Sequence, residues 1–316
     1  MKNWFIGLVG LVVAASVLVG CAPEEKKEEA MKGSIPKVRL GVMPSTDNIP
    51  FLVAHKEEFD KENGVEIELE MFKSAPDRDA AFQAGKVDGV ISDLVGLAIY
   101  LEGGMDVKTV AAPYDQFDLL SGDKTIKSVE DLKEKDVVFS KLTGTAYAVD
   151  MMLKDKGLMM SDIKVTEIPQ VPARLELLKN NKAAAAILPE PFITMGKAKG
   201  MHVVSSTRDL GINPFAIVFG SDFIKDQKSA IKGMFDAYNE GSTYIAKNEP
   251  SEFLDIFIKD VGFPSELKDQ IEVPDFGEIE PVKESDVTSA LEWSRNAGLL
   301  SKNIKPKEVM SNVYFK

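Results

Sequence analysis

The chain predicts an α/β protein of two similarly built lobes, each a mostly parallel sheet flanked by helices. Three observations carry this. From residue 37 onward short β-rich runs alternate with helical stretches, the pattern of a sheet covered on both faces. Two stretches, AAFQAGKVDGVISDLVG and LELLKNNKAAAAILPEPF, repeat one plan: helix, polar turn, small-residue strand, polar or acidic corner. After Ser206 the pattern turns mostly helical, which marks a return to the first lobe.

Two segments precede the body. MKNWFIGLVGLVVAASVLVG has a positive start at Lys2 and an uncharged run from Phe5 to Gly20. That run is roughly 16 residues, the length of a secretory leader's apolar region and short of the ~20 that a spanning helix needs. Leu18-Val19-Gly20-Cys21 resembles a bacterial lipobox, and Cys21 is the only cysteine of the chain. The reading is a leader over 1–20, lipidation of Cys21 and a flexible charged tether over 21–36. The body then sits outside the cell membrane, held by lipid.

Within the body, VRLGVM and VEIELEMF read as strands around a helix that stops at Gly64. PDRDAAFQAG is a short helix with Pro76 in its first turn; DGVISD is a strand, LVGLAIYLEGG a helix and VKTVAAP a strand. The second lobe runs KSVEDLKEK (helix), DVVFS (strand), TAYAVDMMLKDKG (helix), IKVTEI (strand), VPARLELLKNN (helix), AAAAIL (strand), PFITMGKAKG (helix) and MHVVSS (strand). NPFAIVFGS opens the return. Crossings near Ala112–Phe117 and Ser206–Asn213 give a first lobe of 37–112 plus 207–316, with 113–206 as a contiguous insert.

Composition excludes several classes. The net charge of −12 becomes about −13 once Lys2 leaves with the leader, which argues against nucleic acid and against adhesion to anionic lipid. With Cys21 lipidated and only His55 and His202 present, a structural zinc site or a Cys/His nucleophile lacks material. Neither a GxxxxGK[ST] nor a GxGxxG motif occurs, so nucleotide binding is unsupported.

Ligands of open α/β sheets bind outside the carboxyl ends of the strands. Those ends are Pro44–Asn48, Lys73–Pro76, Ser92-Asp93, Ser140–Thr145 and Pro189–Phe192. In SKLTGTAYAVD two threonines flank a glycine where a helix begins. The backbone N–H groups and the hydroxyls of Thr143 and Thr145 could grip an anion; equally, Thr143 could only cap the helix. Tyr114 stands at a crossing, where its ring could stack on a flat ligand. Arg78 and Arg174 each lie in a first helical turn against the dipole, so a salt bridge to neighbours such as Asp77 or to a ligand carboxylate must compensate; surface pairing is the expected one. Glu190, between two prolines, could accept from a ligand amine or cap the helix that follows.

The lipobox, the charged tether, GVMPSTDNIPFLVAHKEEF, FKSAPDRDAAFQAGKVDGVISD, SKLTGTAYAVDMML and ILPEPF, in that order, resemble the solute-binding lipoproteins of ABC importers. The similarity is to the branch for nitrate, sulfonate, taurine and the pyrimidine precursor of thiamine. It runs from Lys37 to about Gly220 and more loosely beyond. The resemblance implies a two-lobed periplasmic-binding-protein type II fold, a monomer closing on one small molecule, a permease and its ATPase as partners, and no cofactor. Carried onto matching positions, the implied ligand shell is Ser45, Asp47, Ser74, Ser92, Asp93, Thr143, Gly144, Thr145 and Glu190. The tryptophans with which some members cover their ligand are missing; the only tryptophan beyond the leader is Trp293. The ligand class therefore stays open. Sulfonate or nitrate would use the Thr-Gly-Thr corner, whereas an aminopyrimidine would use Glu190 or Asp93 with an aromatic ring. The alternative function is an enzyme on the same fold, resembling chorismate dehydratase or the fungal pyrimidine synthase. The cysteine-rich iron motif of the latter is absent, and a cytoplasmic enzyme would carry no lipobox.

Overall fold

The computed structural model describes residues 35–315. The expectations for the leader, Cys21 and most of the tether lie outside the described residues. The first sheet starts with β1 (Lys37–Val42), whose Val38, Leu40 and Val42 are fully buried. Helices α1 (Ile49–Lys56) and α2 (Phe59–Glu62) lead to β2 (Glu66–Met71), and α3 (Ala75–Gln83) to β3 (Gly89–Asp93). Asp93 then caps α4 (Leu94–Glu102), accepting from the N–H groups of Val95 and Gly96 at 3.0 and 2.8 Å. β4 (Val107–Ala111) ends this half.

The chain crosses to a second sheet and forms β5 (Asp118–Ser121), β6 (Asp136–Phe139), α5 (Gly144–Asp155), β7 (Lys164–Glu167), α6 (Val171–Lys179), β8 (Ala185–Leu188), α7 (Phe192–Ala198) and β9 (His202–Ser206). It returns as β10 (Phe215–Gly220), followed by α8 (Ser221–Asp226), α9 (Lys228–Lys247), α10 (Leu254–Ile256) and α11 (Glu284–Asn296). Among the described residues no helix is long and apolar enough to cross a membrane.

Both sheets have five strands and one plan, β2-β1-β3-β10-β4 and β7-β6-β8-β5-β9. In each, four strands run one way and the fourth position runs against them. That strand is the first one formed after a crossing. A chain leaving one sheet at the carboxyl edge of its parallel strands enters the other at its own carboxyl edge, so it must run back from there. Accordingly Phe215 pairs with Asp93 and Asp118 with Leu188, at the strand ends. The repeated stretches of the sequence are α3–β3–α4 and α6–β8–α7, in equivalent places of the two lobes. β5, four buried residues, had no counterpart in the sequence reading, because DLLS is too short to show a period. α9 closes one face of the first sheet, and α4 with α11 the other.

Candidate ligand-binding site

The carboxyl ends of β1, β3, β6 and β8 face one another across a narrow cavity of about 70 Å³. Ser45, Asp47, Ser92 and Asp93 line it from the first lobe, Thr143 and Thr145 from the second. Arg78, Asp115 and Arg174 line it as well.

At the first-lobe wall, the 3₁₀ turn Thr46–Asn48 follows β1 and tucks Asp47 inside, 5 % exposed. Its Oδ1 has no hydrogen-bond partner among the described residues. Burial, and then the neighbouring Asp115, push its carboxyl well above the ordinary carboxylate range, against the pull of Arg78. Asp115 belongs to the crossing. Its Oδ2 accepts from the Ser45 hydroxyl, and its Oδ1 from the Gln116 N–H at 2.8 Å and the Thr46 hydroxyl at 3.4 Å. Burial raises it to about 7 in spite of these donors, with Glu190 adding to the rise.

Asp93 joins the two lobes. Burial, opposed first by Arg78, leaves its carboxyl above the usual value. Gly144 approaches so closely that a Cβ on it would lie 2.9 Å from both Cβ and Cγ of Asp93. The side chain of Asp93 thus packs against the first residue of α5. The two threonines beside it are committed to their own loop. Thr143 Oγ1 lies 3.2 Å from the Ser140 carbonyl and 2.7 Å from Thr145 Oγ1. Thr145 Oγ1 lies 3.1 Å from the same carbonyl and accepts the Ser140 N–H at 3.2 Å.

The two arginines are buried, 4 and 2 % exposed, rather than paired at the surface. Arg78 binds Asp79, not Asp77, and donates to the Ile91 carbonyl at 2.9 Å and Ser92 Oγ at 2.8 Å. Burial works against its charge, but Tyr100, Asp79 and Asp93 outweigh that and raise its pKa. Arg174 donates to the carbonyls of Ile168, Ile187 and Pro169 at 2.8, 3.3 and 3.1 Å, and burial lowers it to about 10. Each arginine holds the carbonyl of the isoleucine thirteen residues on, in β3 or β8. Pro76-Asp77-Arg78 and Pro172-Ala173-Arg174 echo each other in the sequence, and that echo was the available signal for them. Nothing in the local sequence marked Asp115.

The remaining expected residues lie at the margin. Ser74 caps α3, its hydroxyl 2.6 Å from Asp77. Glu190 holds the N–H and hydroxyl of Thr194, both at 3.0 Å, and burial raises its carboxyl. Tyr114 and Glu190 line an adjoining recess with Thr46 and Arg208. There the guanidinium of Arg208 sits 4.9 Å over the Tyr114 ring, and Phe276 meets that ring edge-on at 5.6 Å.

Two sheets of this order around an interlobe cavity define a two-lobed binding-protein fold, and known structures share it. The chain is similar to the alkanesulfonate-binding protein of Xanthomonas axonopodis pv. citri bound to MOPS, with 14 % identity, 87 % of this chain and 98 % of that one covered, and a TM-score of 0.74. It is similar to the periplasmic nitrate-binding protein of Synechocystis PCC 6803, with 16 % identity, 87 and 84 % coverage and a TM-score of 0.71. At a lower TM-score of 0.59 and 12 % identity, over 87 % of this chain and 96 % of the other, it is similar to the desulfurization enzyme DSZB. Residues 32–254 match the model of the NMT1-like family, and the chain belongs to that family. No curated protein matches by sequence.

Proposed function

We propose that this chain is the extracytoplasmic solute-binding component of an ABC importer. Lobes of 37–112 plus 207–316 and of 113–206 close on a small molecule and deliver it to a permease driven by its ATPase. A leader over 1–20 is removed, and lipid on Cys21 with the tether to residue 36 keeps the monomer on the outer face of the cell membrane. One observation carries the reading most directly. The cavity lies between the carboxyl ends of both sheets, and it is lined by Asp47, whose buried Oδ1 has no hydrogen-bond partner among the described residues. A ligand that fills the cavity supplies the missing partner and favours the closed lobes through that contact. The likeness to a sulfonate-binding and a nitrate-binding protein supports the same reading.

Native mass spectrometry of protein purified without denaturation, followed by small-angle scattering before and after unfolding and refolding to strip the cargo, tests this. The expected result is one small molecule per chain and a larger radius of gyration after stripping. An equal radius in both states refutes the hinged receptor, and chemical conversion of the released cargo on incubation would mark an enzyme instead.

A further inference from the structure

On the edge of the first sheet away from the cavity lies a second recess, of about 640 Å³, whose lining is one-sided in charge. Lys108 enters it from β4, Lys225 from α8, and Lys228 and Lys232 from the start of α9, and no acid lines it. Asp222 and Asp226, also on α8, lie outside the lining, and Asp106 nearby accepts from the Ser221 hydroxyl at 2.5 Å. Among the described residues none of the four lysines forms an ion pair, and Lys225, Lys228 and Lys232 are exposed. In a chain of net charge −12 this is a local reversal of sign, and the four cations repel one another until an anion arrives.

The sheet fixes where the recess points. β10 runs from Phe215, paired with Asp93 at the cavity, to Gly220, paired with Val107 beside the recess. At about 3.3 Å per residue these ends lie roughly 17 Å apart. β1 starts at the recess edge. Leu40 and Phe219 both pair with Gly89, so Lys37 lies further from the cavity than that level, and β1 is two strand spacings, roughly 10 Å, from β10. The chain before Lys37 therefore joins the body on the recess side.

We propose that this recess docks the body on an anionic membrane surface, with the phosphodiester headgroups of lipid between the four lysines. The inference rests on the anchored reading above and adds an orientation to it. With the recess on the membrane, the cavity opens away from the surface, toward arriving solute. As a random coil the tether proposed for 21–36 spans about 20–24 Å, so the lipid on Cys21 and the recess reach one surface together. The charge of the whole chain opposes general adhesion. At physiological ionic strength, however, fields fade over about 8 Å, so the docking edge counts for more than the sum over the chain.

The test uses the lipidated full chain reconstituted in phosphatidylcholine vesicles with or without phosphatidylglycerol. Lysines are acylated by a water-soluble N-hydroxysuccinimide ester, and the rate at each is read by peptide mass spectrometry. Lys73 and Lys141, exposed at the cavity side, serve as controls. Expected is slower acylation of Lys108, Lys225, Lys228 and Lys232 on the anionic vesicles only, unchanged controls, and loss of the protection in high salt. Each lysine at an anionic surface strengthens docking roughly fivefold. Lys228→Glu with Lys232→Glu, its fold checked by melting temperature, should therefore weaken docking by at least about 25-fold and free Lys108 and Lys225. Equal rates on the two kinds of vesicle overturn the docking surface and leave the anchored receptor standing. Protection by pyrophosphate in detergent, without protection on anionic vesicles, assigns the recess to a free phosphate compound and overturns the membrane too. A chain found without lipid removes the anchor; the same rates, measured on that chain mixed with the vesicles, then decide the recess by itself.

Discussion

Replacing Gly144 by alanine should open the lobes without unfolding the protein. Gly144 is the first residue of α5, and a Cβ there would meet Cβ and Cγ of Asp93 at 2.9 Å, closer than such atoms come in practice. Asp93 has little room to yield, because the N–H groups of Val95 and Gly96 hold its carboxylate at 3.0 and 2.8 Å. Gly144 is not among the positive-φ glycines, so alanine brings no backbone strain. Within the helix alanine is better than glycine by about 0.5–1 kcal/mol, but open and closed arrangements share that gain. The overpacking, roughly 1–3 kcal/mol, falls on the closed arrangement alone. The open:closed ratio should therefore rise by about five- to 150-fold. Scattering reads the larger radius of gyration directly. Trp293 offers a second probe, since its Nε1 donates to Asp150 of α5 at 2.8 Å while its helix α11 packs on α4. Its emission should shift in the variant. An unchanged radius and emission would refute the reasoning, and a fall in melting temperature in their place would show that the clash is absorbed inside one lobe.

Three further outcomes are expected. Thr145→Ala removes the hydroxyl that accepts the Ser140 N–H, so it should cost about 1–3 kcal/mol in denaturant melts and leave cargo affinity nearly intact; lost affinity at equal stability would restore the Thr-Gly-Thr corner as an anion site. Asp47 is raised and Asp115 stands at about 7 in the folded chain, against about 4 unfolded, so the folded state binds more protons between those values. The stripped protein should accordingly lose stability as pH rises from about 4 to about 7, and Asp115→Asn should flatten that slope in melts across pH. Finally, Cys21→Ser should abolish membrane retention, and intact mass of detergent-extracted wild type should show lipid on a chain beginning at Cys21; an unmodified Cys21 refutes the anchor.

Much of the architecture was open to reading in one dimension. Glycines such as Gly64 and Gly157 stop helices where the pattern says, and both take the positive φ that a helix stop uses. The paired stretches around Arg78 and Arg174 announce two lobes of one construction, since burying like faces requires like periodicity. The strand ends that hold Ser45, Asp47, Ser92, Asp93, Thr143 and Thr145 follow from strand order along the chain, and all six line the cavity. What each of them does there was decided only in three dimensions. Asp115 reaches Ser45 across 70 residues, and no local pattern encodes that meeting. A threonine at a helix start looks equally ready to cap or to donate; in the folded chain Thr143 Oγ1 accepts the Thr145 N–H at 3.3 Å and caps α5. The raised carboxyls of Asp47 and Asp115 belong to the same kind: desolvation and neighbouring carboxylates set them, and both arise only when separate segments of the chain come together.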